Sequence, residues 1–494
     1  MNRHIHIVEE AARCLICKDA PCSQACKNGD PARAIRAIRF GNGKLAGKWI
    51  AKCTDEDLEA AEKACIHYDR PIRIKELLRS LEVNNATPER ALPSLEIDFC
   101  GIHCENPFFL ASSAICTNYE MVARAFEAGW AGVFYKTICM QDIREVSPRF
   151  DAVSDYGRSD FFAFRNMEQL SENPHTVDFD ILHRLKKNYP SKVVVASIMG
   201  QTEEQWIELA KMAEAAGVDA VELNYSCPQM RLSGMGSDVG QNAELVLCYT
   251  SYVKHNVSIP VIPKMTPNIT QINKPASAAY FGCADAISAI NTIKSVTMGD
   301  QAEVNGLKMI SGLSGRTVKP IALRYILEMA QNPIINGTHG KLVELSGIGG
   351  IETWRDALEF IQLGCNNVQI CTAVMQYGYR IIDDLMLGLQ NYMAERGIEK
   401  LSDIVGEETS KFVAANDLDR TTIVYPSIDR DKCIGCGRCY VSCTDGGHQA
   451  ISFDTTTRQP HIAGTKCVGC HLCRLVCPTG AIGAGKRINK KQAS

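Results

Sequence analysis

Residues 193–226 read VVVASIMGQTEEQWIELAKMAEAAGVDAVELNYS. A β-branched run opens the stretch, an amphipathic segment follows, and a second apolar run closes it at Asn224 and Ser226. The unit is strand, helix, strand, and it recurs. Between about residues 95 and 415 the runs PFFLAS (107–112), AGVFYKT (131–137), VVVASIM (193–199), AVELNYS (220–226), PVIPKMT (260–266), AISAINT (286–292), VELSGIGG (343–350) and NVQICTA (367–373) alternate with longer amphipathic stretches. Eight strands alternating with helices predict an α/β fold of the (β/α)8 barrel type.

The ends of these runs carry polar residues or glycine: Ser112, Lys136 and Thr137, Asn224 and Ser226, Lys264, Asn291 and Thr292, Gly349 and Gly350, Thr372. A buried strand has little use for lysine, so Lys136 and Lys264 at strand ends, on the functional face of a barrel, point to an anion or a polar cofactor ring. The alternative is that both snorkel to solvent at the rim. SGLSG (311–315), GIGG (347–350) and Cys371–Thr372 have the make-up of a phosphate cradle, because glycine lets backbone N–H groups approach an anion.

On the C-terminal side, DLDRTTIVYPSID (417–429) leads into two copies of C-x2-C-x2-C-x3-C. Cys433, Cys436, Cys439 and Cys443 form the first copy; Cys467, Cys470, Cys473 and Cys477 form the second, with Pro478 after it. This is the bacterial-ferredoxin spacing for two [4Fe–4S] clusters, in which the fourth cysteine of each run ligates the other cluster. One cluster then takes Cys433, Cys436, Cys439 and Cys477, and the other Cys467, Cys470, Cys473 and Cys443. Structural zinc and disulfides are the competing readings, but zinc sites favour pairs of cysteines. A phosphate site beside single-electron carriers calls for a cofactor that accepts electrons singly and passes them in pairs. FMN does this.

The chain has 494 residues, 23 cysteines and a formal net charge of −3. The length fits two to four domains, and the charge offers nothing to nucleic acid or anionic lipid. No apolar run reaches transmembrane length and MNRHIHIVEE lacks a signal-peptide core, so a soluble cytoplasmic protein is expected. Cysteines in such number imply clusters in a reducing compartment. Cys248, Cys283 and Cys365 lie in apolar stretches and read as core residues. Three domains are expected: a helical, cysteine-bearing 1–85, the barrel at 95–415 and a ferredoxin domain at 425–485, with a linker around Asn84–Ser94. No G-x-G-x-x-G follows a strand and opens a helix, so the chain shows no seat for NAD(P) or FAD.

KTICMQDIREVSPRF (136–150), FRNMEQLSENP (164–174), ELNYSCPQM (222–230), MGSDVGQ (235–241), PKMTPNI (263–269), AINTIKS (289–295), SGLSGRTVKPIALR (311–324), SGIGGIETW (346–354), MQYGYRI (375–381) and DKCIGCGRCYVSC (431–443) resemble the dihydropyrimidine dehydrogenases, in particular their bacterial FMN and iron–sulfur subunit. The likeness spans roughly residues 95 to 485. It implies that Ala111, Ser112, Lys136, Thr137, Lys264, Gly315, Gly349, Gly350, Cys371 and Thr372 hold FMN. It also implies that Asn166, Asn224, Ser226, Asn291 and Thr292 bind a pyrimidine and that Cys227 is the catalytic acid. Asn offers a donor and an acceptor in one side chain, which suits a ring edged with carbonyls and N–H groups. Reduction of uracil or thymine at C5=C6 needs a proton donor on the ring face opposite the flavin, and Cys227 lies between Asn224 and the glycine-bearing GMGSDVG (234–240).

RCLICKDAPCSQAC (13–26) and ACIHYDRPIRIKEL (64–77) resemble the N-terminal cluster domain of fused dihydropyrimidine dehydrogenases and of glutamate synthase small subunits. The resemblance implies one [4Fe–4S] cluster on Cys14, Cys17, Cys22 and Cys65. Cys26 and Cys53 are left over, and TDEDLEAAEKA (54–64) replaces the cysteine-rich segment of those relatives. Electrons from NAD(P)H would come through a separate FAD- and NAD(P)-binding subunit, in a hetero-oligomer built on a homodimer. Two other readings stay open: a dihydroorotate dehydrogenase-like or other cyclic-amide FMN enzyme, and a non-catalytic electron carrier.

Overall fold

The computed structural model describes residues 7–67, 69–81, 91–154, 161–230, 233–298 and 303–490. The chain divides into two compact units, Met1–Ser410 and Lys411–Ser494.

The first unit is built on a closed barrel of eight parallel strands: β1 Phe108–Leu110, β2 Gly132–Phe134, β3 Val193–Ile198, β4 Ala220–Asn224, β5 Val261–Lys264, β6 Ala286–Ala289, β7 Glu344–Ile348 and β8 Cys365–Ile370. Each is one of the runs read from the sequence. β8 closes on β1 through Val368↔Phe108 and Ile370↔Leu110. Around the strands lie α1 Tyr119–Ala128, α2 His175–Asn188, α3 Glu203–Ala215, α4 Ala243–Lys254, α5 Asn273–Phe281, α6 Lys319–Ala330, α7 Trp354–Gln362 and α8 Ile382–Arg396. Local sequence fixes their starts. The Asn118, Thr202 and Asn242 side chains accept the first free amides of α1, α3 and α4, and Thr353 with Asp356 forms a capping box on α7. All six residues of β3 are buried, as expected of a parallel strand covered on both faces.

Two additions close the barrel. A hairpin, Ile97–Phe99 with Ile102–Cys104, sits at its N-terminal end, where the Cys100 amide donates to Glu344 at the start of β7. A four-stranded antiparallel sheet stands at the other end, in the order Ile293–Ser295, Ser311–Ser314, Phe161–Asn166, Phe150–Ser154. The buried Arg165 guanidinium pins it, donating to Asp151 (3.1 Å) and to Ser311 Oγ (2.9 Å).

The N-terminal helices have their own small core of Ala34, Ile35, Ile38, Leu58, Leu77 and Leu78. Asp30 caps the helix Pro31–Arg39 and Thr54 with Asp57 caps Asp55–Lys63. This layer packs on the barrel. Arg36 Nε lies 2.7 Å from the fully buried Asp384 on α8, without the alignment of a hydrogen bond. Asn42 Nδ2 donates to the Asp384 carbonyl (2.8 Å), Arg380 Nη2 to the Ile16 carbonyl (2.5 Å) and Arg39 to the Cys14 carbonyl (2.6 Å), while the Arg39 guanidinium stacks on Tyr377.

The second unit pairs Thr422–Ile428 with Ile482–Asn489 and Ile451–Asp454 with Gln459–Ile462, with the helices Arg438–Gly446 and Leu472–Leu475. Among the cysteines expected in the core, Cys365 is fully buried and Cys248 partly. Cys283 departs from that expectation. It is exposed, because the chain turns through a positive φ at this residue directly after α5. Of the expected linker, residues 84–90 lie outside the described residues, and 91–94 have no regular structure. Among the described residues, no helix is long and apolar enough to cross a membrane.

Candidate active site and cysteine cavities

A cleft of about 1050 Å³, open solvent included, lies at the C-terminal ends of the barrel strands, the usual place for a barrel's chemistry. Its walls include Ala111, Ser112, Lys136, Thr137, Lys264, Gly315, Gly349, Gly350, Cys371 and Thr372, and also Asn166, Asn224, Asn291, Thr292 and Cys227. Ser226 differs from the rest. It does not reach the cleft; its hydroxyl donates to Asn224 Oδ1 (2.7 Å) and accepts from Asn291 Nδ2 (2.9 Å). It therefore orients two amides from behind.

Both lysines are buried, at 5% and 3% exposure, so neither snorkels to the rim. Lys136 Nζ lies 2.8 Å from Glu168 Oε2, and Arg149 Nη1 reaches Glu168 Oε1 at 3.1 Å. Lys264 Nζ lies 3.5 Å from Glu222 Oε1. A hydroxyl chain runs below them: Ser112 Oγ to Thr137 Oγ1 (3.0 Å) and Thr137 Oγ1 to Ser197 Oγ (2.9 Å), with Asn224 Nδ2 donating to Thr137 (2.9 Å).

The site suits a flavin nucleotide. Gly349 and Gly350 follow β7 at φ +129° and +76°, and a Cβ on Gly350 would stand 2.9 Å from the Gly315 carbonyl. That cradle admits backbone and nothing larger, as close approach to a phosphate requires. Gln369, on the cleft wall, has a buried Oε1 with no hydrogen-bond partner, an acceptor for a ring N–H. Two buried cations face the same space.

Cys227 follows β4 and is buried, which pushes its thiol up to about 11. Its carbonyl accepts from the Ser237 amide at 3.0 Å, and a Cβ on Gly236 would lie 2.4 Å from that oxygen. Glycine at φ +57° thus lets the 234–240 segment fold down onto Cys227. Gln229 Nε2 ties the residues after Cys227 to the Asn166 and Glu168 carbonyls.

Sequence reasoning missed Glu168, Arg149, Glu222 and Gln369. Glu168 stands two residues after Asn166 and Glu222 two before Asn224, so their places on the same segments were the available signal. Their partners lie 32 and 42 residues away, which no local pattern reports.

The cysteines gather around three further cavities. In the second unit, Cys433, Cys436, Cys439 and Cys477 line one, and Cys443, Cys467, Cys470 and Cys473 line the other. Each cavity draws three thiols from one run and the fourth from the other. In the N-terminal layer Cys14, Cys17, Cys22 and Cys65 converge on one cavity. Burial raises the Cys22 thiol to about 11, and the nearness of Cys14, Cys65 and Cys17 adds to it. Four thiols lining one void is the number of ligands that a [4Fe–4S] cluster takes. Cys26 and Cys53 lie apart from them, buried with their sulfurs 3.5 Å from one another. A Cβ on Gly29 would stand 2.4 Å from Cys53 Sγ, so the pair is packed as core.

The model of the dihydroorotate dehydrogenase family matches residues 94–393, and that of a 4Fe-4S dicluster domain matches 426–483. The NAD-dependent dihydropyrimidine dehydrogenase subunit PreA of Escherichia coli K12 is 50% identical over 405 residues, 80% of this chain and 97% of that one. The chloroplastic dihydropyrimidine dehydrogenase (NADP(+)) of Arabidopsis thaliana is 34% identical over 340 residues, 66% of this chain and 79% of that one. The catalytic subunit of dihydroorotate dehydrogenase B (NAD(+)) of Pyrococcus horikoshii is 34% identical over 315 residues, 63% of this chain and 97% of that one. Among solved structures, DHODH of Eimeria tenella in complex with ferulenol superposes with a TM-score of 0.54 at 19% identity, covering 65% of this chain and 90% of that one. That likeness speaks for the fold alone.

Proposed function

Since the chain belongs to the dihydroorotate dehydrogenase family, and its relative at 50% identity is a dihydropyrimidine dehydrogenase subunit, we propose that it is the FMN and iron–sulfur subunit of an enzyme that reversibly reduces uracil or thymine to the 5,6-dihydropyrimidine. The observation that carries this reading is the convergence of Asn166, Asn224, Asn291 and Cys227 on a cleft that also holds two buried lysines and a glycine cradle.

Gly315, Gly349, Gly350 and Thr372 would hold the phosphate of FMN, with Ala111, Ser112, Lys136, Thr137, Lys264 and Cys371 about the rest of it. FMN, when bound, supplies the hydride from N5 to C6 of the pyrimidine. The remaining work falls to the chain. Asn166, Asn224, Asn291 and Thr292 bracket the ring edges, the asparagines offering a donor and an acceptor each. Ser226 fixes which way two of those amides face. Cys227 delivers the proton to C5 from the opposite face. Burial raises its thiol to about 11, so it keeps its proton well above neutral pH and is available as an acid in the reductive direction. The 234–240 segment, fastened to its carbonyl, keeps water out.

Clusters on the two cysteine sets of the tail and on Cys14, Cys17, Cys22 and Cys65 would supply electrons one at a time. NAD(P)H is oxidised on a partner flavoprotein that carries FAD, in a hetero-oligomer built on a homodimer. In support, PreA is by name a subunit of an NAD-dependent enzyme.

The family also includes dihydroorotate enzymes, and the Pyrococcus relative keeps that reading in play. Anaerobic mixing of dithionite-reduced protein with uracil, thymine or orotate, followed by flavin absorbance, separates them. Reoxidation by uracil or thymine and not by orotate is expected. Reoxidation by orotate alone would replace the pyrimidine-catabolic reading with the dihydroorotate one.

A further inference from the structure

Barrel interiors are ordinarily filled by layers of branched apolar side chains. Here β4 places a carboxylate in that layer. Glu222 is fully buried. Its Oε1 accepts from Ser197 Oγ at 2.9 Å and its Oε2 from Ser288 Oγ at 2.8 Å, and Lys264 Nζ stands 3.5 Å from Oε1. A buried carboxylate is costly unless it is paired and hydrogen-bonded, and here both conditions are met. Glu222 and Ser288 do not line the cleft, whereas Lys264 does. The carboxylate thus acts on the site through the lysine.

We propose that Glu222 is a positioning residue that holds Lys264 toward the flavin ring and balances its charge, and so sets the reduction potential of the FMN. The proposal rests on the reading of the cleft as an FMN site. The physical argument is electrostatic. Adding an electron pair to the ring places negative charge beside Lys264, and a cation there favours the reduced form. A carboxylate behind the cation offsets part of that pull in a low-dielectric interior, where charges are felt strongly. Removing the carboxylate's charge while leaving its shape exposes the full lysine. Ser197 links the same carboxylate to Thr137 and so to Asn224, which extends the arrangement from the flavin side of the cleft to the substrate side.

The test is spectroelectrochemical titration of the flavin in the intact, pyrimidine-free protein, with FMN content measured first on the released flavin. Glu222→Gln should raise the FMN midpoint potential by ~30 mV or more, the equivalent of a roughly tenfold change in the oxidised–reduced equilibrium of a two-electron couple. Ser288→Ala leaves the charge but removes one hydrogen bond from the carboxylate, which then binds Lys264 more strongly. Its potential should fall, in the sense opposite to Glu222→Gln. Because this second variant alters a hydroxyl outside the cleft, it carries the test if Glu222→Gln fails to accumulate. A residue that merely filled the barrel would leave both potentials where they are. An unchanged or lowered potential in folded, FMN-loaded Glu222→Gln overturns the proposal, as does an unchanged potential in Ser288→Ala. Wild-type protein that retains no FMN would instead overturn the reading of the cleft itself.

Discussion

Cys227→Ala should slow pyrimidine reduction by ~10²–10⁴-fold, the usual worth of a positioned general acid, which is about 2.7–5.4 kcal/mol of barrier. FMN and the clusters should remain bound, because the side chain itself makes no hydrogen bond to the cradle or to the cysteine cavities. The pH profile makes the prediction sharper. Burial lifts this thiol to about 11 from the ordinary 9.0. At pH 9 an ordinary thiol is half ionised, whereas one at about 11 keeps roughly ninety-nine protons in a hundred. The acid form does the work in the reductive direction, so the rate should stay flat through about pH 9 and fall only as pH approaches 11. In the oxidative direction the thiolate is the working form, and the rate should climb with pH over the same range. Cys227→Ser should be slower than wild type but faster than Ala, with no alkaline limb. Anaerobic stopped-flow mixing of reduced protein with uracil, and of oxidised protein with dihydrouracil, each read at the flavin absorbance from about pH 6 to pH 11, reports all of this. An alanine variant within about threefold of wild type, or a wild-type limb centred near 9, refutes the assignment.

Iron and sulfide analysis of anaerobically prepared protein should give about 12 iron per chain, four for each of three clusters, and about 8 in Cys17→Ser. A wild-type value near 8 would leave the N-terminal cavity without a cluster. NAD(P)H alone should leave the flavin oxidised, while dithionite or a reduced viologen bleaches it; rapid bleaching by NAD(P)H would demand a nucleotide site within this chain. Gly350→Ala should lose FMN on gel filtration, since a Cβ there meets the Gly315 carbonyl at 2.9 Å and φ is +76°; full retention would move the phosphate elsewhere. Arg36→Ala should cost about 3–5 kcal/mol in urea denaturation, because it leaves Asp384 buried without its cation. Burial already raises the Asp384 carboxyl in the folded state. A group raised on folding loses its contribution as pH rises through the folded value, so the deficit should grow as pH rises above the ordinary carboxylate range. A deficit independent of pH would place it in lost packing instead.

The barrel could be read from the sequence because each strand is a short apolar run that ends in a polar residue, and both features are local. Lys136 and Lys264 stood out for the same reason. What they pair with did not, since Glu222 comes from another barrel strand and Glu168 from the loop after Phe161–Asn166 of the covering sheet, and only the folded chain brings them near. The antiparallel sheet over the cleft was also illegible. It joins Phe150–Ser154 and Phe161–Asn166 to Ile293–Ser295 and Ser311–Ser314 across more than a hundred residues. The family resemblance implies Ser226, at the same strand end as Asn224, as a ligand to the pyrimidine. It lies behind that residue, for the strand end turns there and the Ser226 amide and hydroxyl both fold back onto Asn224 Oδ1. The fourfold grouping of thiols in the tail was legible because cluster spacing is itself a local pattern, whereas Cys65 joins Cys14, Cys17 and Cys22 from a distant segment and was implied by the resemblance alone. The packing of Cys26 against Cys53 was not, as it depends on how close the backbone comes at Gly29.

The seam between the N-terminal helices and α8 bears on how this protein comes apart. Gly388 lets Trp354 lie flat on α8, the Trp354 indole N–H reaches the Gly41 carbonyl, and Asn42 and Arg36 cover Asp384. Stripping away the front helices would uncover an ionisable group that the barrel was never arranged to hydrate. Front layer and barrel should therefore melt in one transition, and a truncated barrel should be a poorer enzyme for reasons of folding before any wiring of electrons is tested. Single cysteine replacements in the 13–26 loop leave that seam whole, which makes them the cleaner cut.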